Sequence, residues 1–149
     1  MAFEEVLQLV ARWQACDEKE AEVMRLVMLA TTESLASGEI SPEDPELGPV
    51  AAGFEAAALE LLRKTAAPEL EEIERQAAGY AEAPGGEPVA EALRERAAAA
   101  AARRPLAEEF AAFMRHLASM HASAAATARH PAARPRRRNA KYFGPEWCN

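Results

Sequence analysis

The chain is predicted to be an all-α protein, an elongated antiparallel bundle of three to five helices. Three observations predict this. Leu106, Phe110, Phe113, Leu117, Met120, Ala124 and Thr127 follow one another at alternating spacings of four and three. That is the seam of one long helix, which must be buried against other helices. Alanine, the strongest helix former, makes up about a quarter of the 149 residues. The β-branched residues that strands favour are scarce: six Val, two Ile and four Thr. Alanine buries little area. The core is therefore expected to be thin, which suits an elongated bundle, or one completed by a partner, better than a compact globule.

The first helix is predicted over residues 2–37, on the order of 50 Å long. Phe3, Val6, Val10 and Trp13 form one stripe, and Met24, Val27 and Thr31 resume it after a polar interval at 17–20. Leu9, Cys16, Val23, Leu26 and Ala30 line a neighbouring face. Residues 23–30 are apolar on nearly every side apart from Arg25, so they are expected at the centre of the bundle. Gly38 is a natural C-cap.

Residues 39–49 read as a loop, with Pro42, Pro45, Gly48 and Pro49, four acids and no base. Within it, Ser41-Pro42-Glu43-Asp44 suits a short helical turn with Ser41 as cap and Pro42 at its first position. The second helix is predicted over 50–65, with Phe54, Ala58, Leu61 and Leu62 on its apolar face. Pro68 either begins a further helix, 68–80, or kinks the second one. Leu70, Ile73 and Ala77 give that charged segment a thin stripe.

Pro84-Gly85-Gly86 is the clearest break in the chain. Residues 88–103 are helical again. Their large apolar residues are only Val89 and Leu93, which places this helix at the periphery. Pro105 either kinks it or starts the seam helix, which runs to about Arg129. Pro131 and Pro135 end helix formation. The chain divides into a helical bundle domain, 1–129, and a basic, mostly irregular tail, 130–149.

Charge follows the same division. Residues 1–128 hold 11 Lys/Arg against 23 Asp/Glu, a net −12, and residues 129–149 hold six against one, a net +5. An acidic body repels nucleic acid and anionic membranes and suits solubility or a partner with a basic face. The two cysteines, Cys16 and Cys148, make no disulfide framework. Cys16, within an Ala/Leu-rich helix, is expected to be a small buried hydrophobe. Glu4 and Glu5 stand where a signal peptide would carry bases. No stretch reaches the ~20 apolar residues of a membrane span. A cytoplasmic protein with reduced thiols is the expectation.

No reactive constellation emerges. A di-iron bundle needs Glu-x-x-His, and no Glu here has a His three residues later. His116 and His121, five apart, fall on different helix faces and read as residues flanking the seam. Gly85-Gly86 lacks the Lys-Ser/Thr of a phosphate loop. The pairs Glu4-Glu5, Glu71-Glu72 and Glu108-Glu109 read as solvated faces. The chain is expected to be non-enzymatic, with no cofactor and no metal.

Two segments carry functional expectations. Phe110, Phe113, Leu117 and Met120 would line a groove for a partner's amphipathic helix, or else form intramolecular core. In the tail, Arg136, Arg137 and Arg138 precede Tyr142, Phe143 and Trp147. Basic residues beside aromatics suit contact with nucleic acid or an anionic lipid surface. The same residues also suit a docking motif, a strap on the bundle or a solubilising end.

Leu35-Ala36-Ser37-Gly38-Glu39 closing a long helix, a Leu-rich second helix from Phe54 to Leu62, and the terminal Tyr142-Phe143-Gly144-Pro145 resemble the small flagellar export chaperones. Both the hook-associated-protein type and the filament-cap type share the helical layout, and the aromatic-Gly-Pro tail resembles the hook-associated type. The match covers about the first 65 residues and the last dozen; the acidic loop 39–49 and the Pro84-Gly85-Gly86 break depart from it. The resemblance implies binding of an export substrate's amphipathic C-terminal helix. The functional expectation is thus a helical adaptor or chaperone. The alternatives are a nucleic-acid accessory subunit using the tail, or a structural subunit, such as a homodimer, joined through the seam from Leu106 to Thr127.

Overall fold

The computed structural model describes residues 2–128. The predicted tail contacts, Arg136–Arg138, Tyr142, Phe143 and Trp147, lie outside the described residues. Those described form four helices and no strand: α1 (Phe3–Ser37), α2 (Leu47–Lys64), α3 (Ala67–Glu82) and α4 (Glu87–Ala128).

Helix α4 is the spine against which the other three pack. Side-chain pairs give the directions. Going up α1, Val10 shares a cluster with Val89 and Leu93. Asp17 meets Arg96 and Arg103, and Val27 joins Phe110 and Met114. The numbers rise together, so α1 and α4 are parallel. Going along α2, Gly48 lies against His121, Glu55 pairs with Arg115, and the Leu62 carbonyl meets Arg104. Helix α3 continues the descent, with Glu74 on Arg94 and Ala77 beside Val89. The result is an up-down-up three-helix bundle whose descending member is in two pieces.

The break between those pieces follows from Pro68. Ala66 is extended (φ −67°, ψ 160°), and Pro68 sits in the first turn of α3, where its missing N–H costs nothing. Arg104 closes the end of α2: its guanidinium donates to the Leu62 carbonyl at 2.7 Å and to Thr65 Oγ1 at 3.0 Å. Pro68 thus begins a helix rather than kinking one. Pro105 does not start a new helix, because α4 runs through it from Glu87 to Ala128. The hydrogen bond it forfeits is to the carbonyl of Ala101, and both residues are exposed, where water reaches that carbonyl.

There are two cores. One joins α1, α2 and the second half of α4 through Met24, Val27, Phe54, Phe110, Met114 and Leu117. The rings of Phe54 and Phe110 meet edge to face at 5.7 Å, worth about 0.5–1.5 kcal/mol beyond their buried area. The other joins α1, α3 and the start of α4 through Val10, Ala77, Val89, Ala90 and Leu93. Phe3 and Tyr80 form an edge-to-face pair beside it at 5.9 Å. Val89 and Leu93 therefore lie in a core, not at the periphery as expected. Ala77 and Ala90, both fully buried, let the helices approach closely enough for few large side chains to fill the space.

The connections behave largely as their residues suggest. Gly38 caps α1 in the left-handed region (φ 78°), and the Ile40 N–H returns to the Ser34 carbonyl at 3.1 Å. Ser41 Oγ accepts from the Glu43 N–H at 3.2 Å, while the Asp44 carboxylate accepts from the Ser41 N–H at 3.0 Å. This is the reciprocal logic of a capping box. His121 secures this loop from α4: its Nδ1 lies 2.9 Å from the Pro42 carbonyl, and since a carbonyl only accepts, Nδ1–H is the donor. Helix α2 starts at Leu47, three residues earlier than predicted, with Pro49 tolerated in its first turn. At the α3–α4 turn a Cβ on Gly86 would collide with the Tyr80 carbonyl oxygen.

Candidate functional site

The inward face of α4's second half consists of Ala107, Phe110, Ala111, Met114 and Leu117. It is turned by roughly half of one residue's 100° step from the predicted seam. Phe110 (2% exposed) and Leu117 (3%) belong to both faces and are consumed by the chain's own core. Phe113 and Met120 are half-buried and pack on the edge of that core. Ala124 is half-buried and Thr127 exposed. The four candidate groove residues therefore do not form one open surface. Met114, fully buried, was missed. Its signal was the alternative run Ala107-Phe110-Met114-Leu117-His121, which has the same spacing but small or polar ends.

Of residues 23–30, Met24 and Val27 reach the bundle centre, but the rest of the run does not. A three-helix bundle encloses one stripe of α1, here Met24, Val27, Thr31 and Ser34. The rest of the run is left outside: Leu26 and Leu29 are 51% and 57% exposed. They stand one turn apart on the same face. Leu59 on α2 is also exposed. Cys16 is exposed rather than a buried hydrophobe.

Midway along the bundle, at the α2–α3 break, is a cleft of about 330 Å³. Leu61, Leu70, Ile73, Ala100 and Ala107 form its apolar lining, with Trp13 and Cys16 contributed by α1. Charge gathers around it. Asp17 Oδ2 takes Arg96 Nε at 3.0 Å and an Arg103 terminal nitrogen at 3.4 Å. The Arg96 guanidinium also lies 4.9 Å above the Trp13 ring, a cation–π contact. Arg104, Lys64, Glu20 and Glu60 complete the polar boundary. Glu60 is committed to Arg63 on the outside of α2.

Burial raises the Glu20 carboxyl above its ordinary range, and the negative charge of Asp17 adds to the shift. Lys64, Arg103 and Arg96 oppose it. The sequence trace of this cleft is the polar interval 17–20 in an otherwise continuous apolar stripe. Opposite it on α4 is the alanine run 97–102, which removes bulk at the same level.

His116 is exposed, and His121 is half-buried in its hydrogen bond to the loop. Among the described residues, no group of three His, Cys, Asp or Glu is placed to hold a metal ion. Among them, too, no helix is long and apolar enough to cross a membrane. No family model, curated protein or solved structure matches this chain.

Proposed function

We propose that the protein is a non-enzymatic helical adaptor or chaperone that holds an amphipathic helix of a partner protein. The observation that carries this reading is the pair Leu26 and Leu29, more than half exposed on the outer face of a helix whose inner face is already packed. A fourth helix laid along that face would bury both leucines and convert three helices into four, the arrangement in which i, i+3, i+4 and i+7 anchors fit a groove. Half-buried Phe113 and Met120 supply adaptable apolar surface elsewhere on the bundle. The resemblance to flagellar export chaperones adds a class of partner, the amphipathic C-terminal helix of an export substrate.

The test is a photo-crosslinking residue placed at Leu29 in cells that make the protein natively, with a second at Gln76 on the exposed side of α3 as control. The reading expects position 29, and not 76, to capture a helical segment of another protein. It also expects Leu26→Glu to abolish the capture while helicity is retained. Capture of further copies of this chain alone would make it a self-associating subunit. No enrichment at 29 over 76 would refute the adaptor.

A further inference from the structure

The mid-bundle cleft has features that helix binding does not use. Its volume, about 330 Å³, falls at the lower end of the ~300–1,000 Å³ typical of small-molecule sites. Its charge balance is unlike the rest of the body. Lys64, Arg96, Arg103 and Arg104 line it, against Asp17 and Glu20, with Glu60 turned to Arg63. In a body of net −12, this is a local concentration of cations.

The guanidinium donors are also underused. Among the described residues, Arg96 makes one hydrogen bond, to Asp17. Arg103, whose side chain is only 18% exposed, has a single 3.4 Å ion pair to the same oxygen. A guanidinium carries five N–H donors. The unused ones are not among the sealed, unpartnered atoms of the described residues, so they remain open to solvent, on residues that line the cleft. The same cleft is lined by apolar Leu61, Leu70 and Ile73 and by Trp13.

We infer that this cleft binds a small organic carboxylate, its anionic head held by Arg103, Arg96 and Lys64 and its apolar body lodged against Leu61, Leu70 and Ile73. The planar fork of arginine matches a carboxylate's two oxygens. Arg96 is steadied for this by its stacking on Trp13. Asp17 positions the two arginines and shares them with the incoming anion. The apolar wall selects against inorganic anions, and the cations select against neutral amphiphiles, so affinity needs both halves of the ligand.

The experiment uses octanoate as probe and the full chain labelled with ¹⁵N, following the indole N–H of Trp13, distinguished from that of Trp147 by the variant Trp147→Phe. Octanoate is expected to shift the Trp13 signal saturably. Octanol and inorganic phosphate should each bind at least about tenfold more weakly, the scale set by losing one charge-assisted contact. Arg103→Gln should weaken octanoate by a similar factor, and Lys64→Gln, at an exposed position, by several-fold in a fold left intact. The inference is overturned by the absence of a saturable Trp13 shift, by a shift confined to Trp147, or by octanol binding as tightly as octanoate. It is equally overturned if octanoate binds Lys64→Gln and folded Arg103→Gln as it binds the native chain.

Discussion

The two ends of this bundle solve the same packing problem with different side chains. Where α2 lies on α4, the interior is filled by the large side chains of Phe54, Phe110, Met114 and Leu117. Where α3 lies on α4, the buried side chains are smaller, with alanines at 77 and 90 beside Val89 and Leu93. A single spine helix serves both ends because its side-chain size changes along its length. Between them, neither arrangement reaches: Ala97–Ala102 are too small to fill the space opened by the α2–α3 break, and the cleft results. The buried side-chain volume that α4 contributes thus differs between its two ends.

The strongest way to break this comparison is to empty the end with the large side chains. Phe54→Ala removes a fully buried ring and its edge-to-face partner, and is expected to cost about 3–5 kcal/mol in urea unfolding. At the alanine-lined end, Leu93→Ala should cost less, about 2–3 kcal/mol, because the close-set helices collapse more readily on the gap. Native-state hydrogen exchange would sharpen the contrast. Leu93→Ala should weaken protection first in α3 and the start of α4, with α2 protected longer. A larger loss from Leu93→Ala than from Phe54→Ala would show that the alanine-lined end carries the fold.

Pro105→Ala addresses the spine that joins the ends. The proline is exposed and inside a continuous helix. Alanine restores a backbone donor and the better propensity, so thermal unfolding should move up, by about 1–3 kcal/mol of added stability. A loss of stability instead would mean that the proline's local geometry is needed to seat both halves of α4.

Most of the helical layout was legible because it depends on local signals. Gly38, Pro68 and Pro84-Gly85-Gly86 punctuate the chain where the structure does. The errors lie where packing overrides local pattern. The seam from Leu106 to Thr127 and the true face through Met114 have the same spacing. Only the position of α1 and α2 decides between them, and that is tertiary information. Leu26 and Leu29 read as interior because a run of apolar residues signals burial, yet a bundle of three helices has room for one stripe of α1. Val89 and Leu93 read as peripheral because alanine contributes little hydrophobic area, while its value here is steric. The cleft left only an indirect trace in Asp17 and Glu20, because the arginines that meet them are about 80 residues away in sequence.

The smallest expected effect concerns the charge in that cleft. Glu20 has a carboxyl pKa above its ordinary value in the folded chain, chiefly through burial and then through Asp17. Between the unfolded and folded pKa values the native state therefore binds the proton more often than the unfolded chain does. Stability consequently falls as pH rises through that window, the opposite of a carboxylate whose pKa is depressed by a salt bridge. Above the window the ionised, partly desolvated Glu20 is a standing cost, offset only in part by Lys64, Arg103 and Arg96. Glu20→Gln should therefore stabilise the protein at neutral pH by a few tenths of a kcal/mol, after solvent screening of a half-exposed group. It should have no effect below pH ~3, where both states are protonated. Paired unfolding curves at acidic and neutral pH read the difference directly. A destabilised Glu20→Gln at neutral pH would mean that the three cations, rather than burial and Asp17, dominate the field at this level of the bundle.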